Sequence, residues 1–180
     1  MVRQQLVDAI NQGQVLVNYA GHGSVEQWSF ADLFDNSGAS ALQNSNRLPV
    51  FIVMDCLNGF FHDVFTQSLA ETLLLAPNGG AAAVWASSGF TDAAPQAAMD
   101  RALIQSLVSD PTQPLGRAIL AAKKLTGDSD VRRTWILFGD PAMRIQFSAS
   151  PAPAPLRPGL DSSRKEGGLR REFSRTQTNP

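Results

Sequence analysis

The sequence predicts an α/β protein, a three-layer α/β/α sandwich built on a mainly parallel sheet. Two short stretches, Val15–Ser24 and Val50–Gly59, open on apolar runs rich in β-branched and aromatic residues and are closed by Gly or Asn-Gly. Runs of that kind suit strands buried on both faces. Segments with helical spacing separate them from further short apolar runs, the alternation that builds a parallel sheet. The 180 residues suffice for one domain with a real core.

Taken in order, Val2, Leu6 and Ile10 recur at i, i+4 and Gly13 is a good stop, so 2–12 reads as a helix. The first strand follows at once, which suggests that the chain opens in the middle of an α/β unit. Residues 24–48 form a long connection anchored by Trp28, Phe30, Leu33 and Phe34. Ser29 is placed to cap a short helix through Leu33, and Asn36-Ser37-Gly38 to break it. Pro49 opens the second strand. Asp63 is placed to cap a helix over 64–76 whose buried face is Phe65, Leu69, Leu73 and Ala76. Ala81–Ala86 is a third strand whose small residues allow close helix packing. Helices are expected over 93–109, with Ala97, Arg101, Ile104 and Val108 on one face, and over 114–125. A loop at 127–129, a fourth strand at 134–138 and a short closing strand over 143–147 complete the domain, 1–147. Residues 148–180 change character. Alternating prolines give a linker, and a polar segment with six basic and three acidic residues gives a disordered tail.

Net charge is −1, with no global signature of nucleic-acid binding. No apolar run approaches the length of a membrane span, so no membrane insertion is expected. Met1–Gln5 leads into an amphipathic segment rather than a signal peptide. The single cysteine excludes an internal disulfide framework. No nucleotide-binding fingerprint or metal-ligand spacing is present, and no metal or cofactor is expected. His62 adds only a third ligand to His22 and Cys56, without a fourth.

Each of the first two strands ends in a reactive side chain, His22 in Gly21-His22-Gly23 and Cys56 in Asp55-Cys56-Leu57. In an open parallel sheet, functional groups collect beyond the carboxyl ends of the strands. A lone Cys at a strand end often serves as a small core residue, and a His between glycines as part of a turn. The two together form a candidate nucleophile–base dyad. Alternation turns Asp55 away if Cys56 faces the cleft, leaving Asp55 as a strand-end hydrogen-bond acceptor.

The segment Asn18-Tyr19-Ala20-Gly21-His22-Gly23-Ser24, with Trp28 downstream, resembles the histidine motif of the gingipain family of cysteine peptidases. Met54-Asp55-Cys56-Leu57-Asn58-Gly59 resembles the cysteine motif that follows it, and Ala81–Ser88 and Phe138-Gly139-Asp140-Pro141 continue the likeness. The resemblance implies a caspase-like sandwich that lacks its first strands here. It implies a cysteine-type endopeptidase acting on polypeptides through a thioester, with Cys56 as nucleophile and His22 as general acid, then base. The oxyanion donors it implies are the backbone N–H groups of Gly23 and Cys56, and the pocket-lining residues are Ser87, Ser88 and Phe90. It further implies an extracellular or cell-envelope setting, and the preceding part of the same domain as a partner, because in gingipains the acid that orients the histidine lies before the histidine motif. The alternatives are a catalytically silent, secretion-associated module of the same fold, and a sortase-like relative that uses the same dyad but passes the thioester to an amine.

Overall fold

A computed structural model describes residues 2–31 and 33–147. The expected tail, 148–180, lies outside the described residues. Helix α1 (Val2–Asn11) leads into strand β1 (Leu16–Ala20). A small antiparallel ribbon follows, β2 (Gln27–Trp28) with β3 (Phe34–Asp35), then α2 (Asn36–Ser40), β4 (Val50–Met54) and α3 (Leu69–Leu75). Strand β5 (Ala83–Ser87), helices α4 (Ala93–Ser109), α5 (Leu115–Leu125) and α6 (Ser129–Thr134), and strand β6 (Trp135–Phe138) complete the chain order.

The main sheet runs β1-β4-β5-β6. The first three strands are parallel, Leu16 opposite Val50 and Val50 opposite Ala83; β6 joins antiparallel, Val84 opposite Phe138. Every residue of β4 is buried, and the period of two divides it between two cores. Val50, Ile52 and Met54 pack with Met99, Leu103, Ile119 and Trp135 from α4, α5 and β6. Phe51 and Val53 pack with Ile10, Trp28, Phe34 and Leu73 from the other face. Helices therefore cover both faces of the sheet, the three-layer sandwich that the sequence predicts.

Several local expectations are corrected. Ser29 caps no helix; it sits at φ +60 in the turn joining β2 to β3 and gives its N–H to the His22 carbonyl. Asn36-Ser37-Gly38 opens α2 instead of breaking a helix, because Asp35 accepts the Gly38 N–H and caps it. The third helix starts at Leu69, not near 64. Ser68 and Glu71 form a capping box there, whereas the Asp63 carboxylate is used in a local turn with the Phe65 N–H. Phe65 is 95% exposed. Helix α4 buries Gln96, Met99, Leu103 and Leu107 rather than the face through Arg101 and Val108. Asp128 caps α6, accepting from Asp130 and Val131, where only a loop was expected. Residues 143–147 form no strand. Pro141 and Met143 offer their carbonyls to Gly116 and Leu115, satisfying free N–H groups of the first turn of α5, while Ile145 enters the core.

Candidate active site

β1 and β4 are neighbours and parallel, so their carboxyl ends open side by side. The ladder continues one step beyond β1, where the Gly21 N–H bonds the Met54 carbonyl. The next residue on one strand is His22; two residues on, the other carries Cys56. Both line a cleft of about 460 Å³, walled opposite by Thr91 before α4 and by Gln96, Ala97 and Asp100 on it. Cys56 is half-buried and its thiol points at the Thr91 carbonyl, 3.6 Å away. Gln96 holds Thr91 in turn, donating to its carbonyl at 3.0 Å and its hydroxyl at 2.8 Å.

The histidine loop is fixed by its backbone. The His22 carbonyl accepts the Ser29 N–H and the Tyr19 hydroxyl, each at 2.7 Å. Tyr19 stacks on Trp28 with ring centroids 4.3 Å apart and planes within 4°. Gly23 faces Trp28 in an antiparallel bridge whose hydrogen bonds are Ser24 N–H to Gln27 and Ser29 N–H to His22. Those bonds flank the pair, so Gly23 occupies a non-hydrogen-bonded position and its own N–H points away from Trp28. Among the described residues neither the Gly23 nor the Cys56 N–H is donated to any acceptor. The glycines flanking His22 are not at positive φ. Close approach requires them instead: a Cβ at Gly21 would meet the Tyr19 hydroxyl at 2.6 Å, and one at Gly23 would collide with the Asp55 carboxyl.

Asn58 ties the two motifs together. Its amide donates to the carbonyls of Ser24 and Gln27 in the histidine loop, and its own carbonyl accepts the Ala70 N–H of α3. Leu57, between Cys56 and Asn58, sits at φ +69. A left-handed leucine costs about 1–3 kcal/mol and persists only where its surroundings hold it.

The structure treats the expected pocket residues unequally. Ser87 is fully buried and its hydroxyl is engaged with Gly89, donating to the carbonyl and accepting the N–H; it does not reach the cleft. Ser88 gives its N–H to Thr134 and lines neither hollow beside Cys56. Phe90 is 79% exposed and lines a smaller hollow of about 250 Å³ together with Cys56, Asp92 and Asp128. Asp100, which the sequence did not single out, lines the main cleft and accepts the Asn18 amide at 2.9 Å. Burial raises its carboxyl above the usual range, against the lowering effects of Asn18 and Arg101. His62 stands apart, its ring 3.9 Å from that of Phe60.

The profile of peptidase family C25 matches residues 1–146. The chain belongs to peptidase family C25. It is 30% identical to gingipain R2 of Porphyromonas gingivalis over 79% of its own length and 21% of that protein's, and 30% identical to gingipain R1 of the same organism over 79% and 16%. The solved gingipain R (RgpB), described as an Arg-specific cysteine proteinase, superposes with a TM-score of 0.74 at 28% identity, covering 81% of this chain and 37% of that one. A complex of the RgpB pro- and mature domains matches with a TM-score of 0.74 at 25% identity, again over 81% and 37%. The chain thus spans about a fifth of gingipain R2 and little over a third of the solved proteinase. Its sandwich is the fold of that proteinase, the caspase-like architecture that the resemblance implied.

Proposed function

We propose that this chain carries the dyad of a cysteine-type endopeptidase, with Cys56 as nucleophile and His22 as general acid–base. The observation that supports this most is their convergence on one cleft at the ends of adjacent parallel strands. Cys56 Sγ attacks the scissile carbonyl as the thiolate, the reactive form of a thiol. The tetrahedral oxyanion rests on the N–H groups of Gly23 and Cys56, both free of other acceptors among the described residues. Fixed donors of this kind are worth about 2.7–4 kcal/mol each in the barrier. His22 protonates the leaving amine, the thioester remains on Cys56, and His22 then takes a proton from the water that releases the acid. By the family resemblance, the acid that orients His22 would come from polypeptide preceding the histidine motif. The peptidase domain is assigned to 1–147, in line with the family match to 146. An extracellular or envelope setting is inferred from the relatives.

The test is labelling with a peptidyl acyloxymethyl ketone carrying Arg. Labelling of wild type, lost in Cys56→Ala and His22→Ala, is expected. A folded protein left unlabelled by Arg, Lys and uncharged probes alike would overturn the assignment. The carboxyl of Asp100, held by Asn18 on the cleft wall, supports a preference for a cationic side chain. Asp100→Asn is expected to slow labelling by the Arg probe roughly tenfold, the worth of a charge-assisted hydrogen bond, and to leave an uncharged probe unaffected. Equal slowing of both probes would place Asp100 outside the specificity pocket.

A further inference from the structure

Asp55 is fully buried, yet among the described residues neither carboxyl oxygen has a partner at good hydrogen-bond geometry, the Asn58 backbone N–H being the one donor that acts on it. It follows Met54 and precedes Cys56, and alternation sends it to the face opposite the cleft. There it lies directly behind Gly23, close enough that a Cβ on that glycine would strike it. The carboxyl therefore sits behind the backbone whose N–H groups serve the oxyanion in the reading above.

Among the described residues no cation acts on it. Tyr19 on β1 is the other titratable side chain facing it, and that hydroxyl is given to the His22 carbonyl. From β5 come Val84 and Ala86, which are apolar. Helix α3 carries one acid, Glu71, engaged with Ser68. His22 and Cys56 lie on the cleft side. Burial pushes the Asp55 carboxyl up to about 8, opposed by the Asn58 backbone amide.

We propose, resting on the peptidase reading, that Asp55 is a positioning residue that works as a neutral carboxylic acid behind the oxyanion site, and that its deprotonation switches the nucleophile off. A carboxylate there places negative charge next to the residue that carries the thiolate, and behind the donors that receive the oxyanion. In a site of low dielectric both new charges are then opposed. The same carboxylate would stabilise an imidazolium at His22, but a better-held proton is a slower one to give to the leaving amine. Both effects slow acylation. Because Asp55 does not line the cleft, the dissociation constant of the substrate is unaffected.

The decisive readout is alkylation of Cys56 by iodoacetamide across pH 6 to 9, in wild type and Asp55→Asn, which keeps the shape and loses the titration. Equal rates are expected at pH 6. Above pH 8 the wild type should react several-fold more slowly than the variant, because the Asp55 carboxylate opposes the thiolate. The carboxyl carbon of Asp55, followed by ¹³C NMR in Cys56→Ala, should titrate far above the ordinary carboxylate range. Superimposable alkylation profiles, or an Asp55 carbon that titrates near 4, would overturn the proposal. Neither readout needs peptide cleavage. Failure of the peptidyl probe to label Cys56 would count against the peptidase reading alone.

Discussion

Alanine at Cys56 or at His22 is expected to lower kcat roughly 10⁴-fold or more, and alanine at both to lower it no further. The reason lies in the division of labour within one cleft. A thiolate without the imidazole expels its amine unprotonated. An imidazole without the thiol has no acyl group to release. On the proposed mechanism, removing either leaves the same residual catalyst, the N–H donors of Gly23 and Cys56, and Cys56→Ala keeps both because the backbone is untouched. His22 is exposed and Cys56 half-buried, so neither replacement opens a core cavity, and thermal melts should superimpose on wild type. The measurement is steady-state hydrolysis of a fluorogenic peptide by the two single variants and the double variant. Losses that multiply would mean that the two side chains act independently, and the dyad would be abandoned.

The parts of the site that could be read from sequence are those carried by strong strand signals. Val50–Met54 is apolar throughout and buried throughout, and β1 pairs beside it in a register that brings His22 and Cys56 together. Alternation along β4 also put Asp55 on the face away from the cleft. What it did not reveal was that neither carboxyl oxygen would make a hydrogen bond of good geometry among the described residues, packed as it is behind Gly23. The cleft's far wall was missed for a different reason. Helix α4 is rich in alanine, so several faces look equally apolar, and the face chosen from sequence runs through Arg101 and Val108. The true phase buries Met99, Leu103 and Leu107, and the same phase brings Gln96 and Asp100, one turn apart, to the cleft. The clamp from Asn58 was equally hidden, since it depends on where the 24–27 turn lies in space. Short capped helices failed at their boundaries. Asp63 and Ser68 are both good caps by type, and only Ser68 has a Glu three residues on, a signal that was present and passed over.

Asparagine at Asp55 is expected to stabilise the fold at neutral pH, by an amount that grows with pH. In the unfolded chain an aspartate ionises near 3.9; in the fold burial moves Asp55 up to about 8. Between those values the folded chain retains a proton that the unfolded chain has released, so rising pH favours unfolding. Below pH 4 both states are protonated and nothing is lost. At pH 7 the loss reaches at most about 4 kcal/mol, at 1.36 kcal/mol per pH unit, and above pH 8 it is complete. An amide of the same shape does not titrate and escapes this loss. Urea midpoints for wild type and Asp55→Asn at pH 4, 6, 7 and 8 should therefore coincide at the acid end and separate steadily upward. A constant difference would mean that Asp55 ionises in the fold as it does in the open chain. A steady separation would mean that Asp55 weakens the fold at neutral pH and that one atom's change would improve it, a cost that packing alone does not explain.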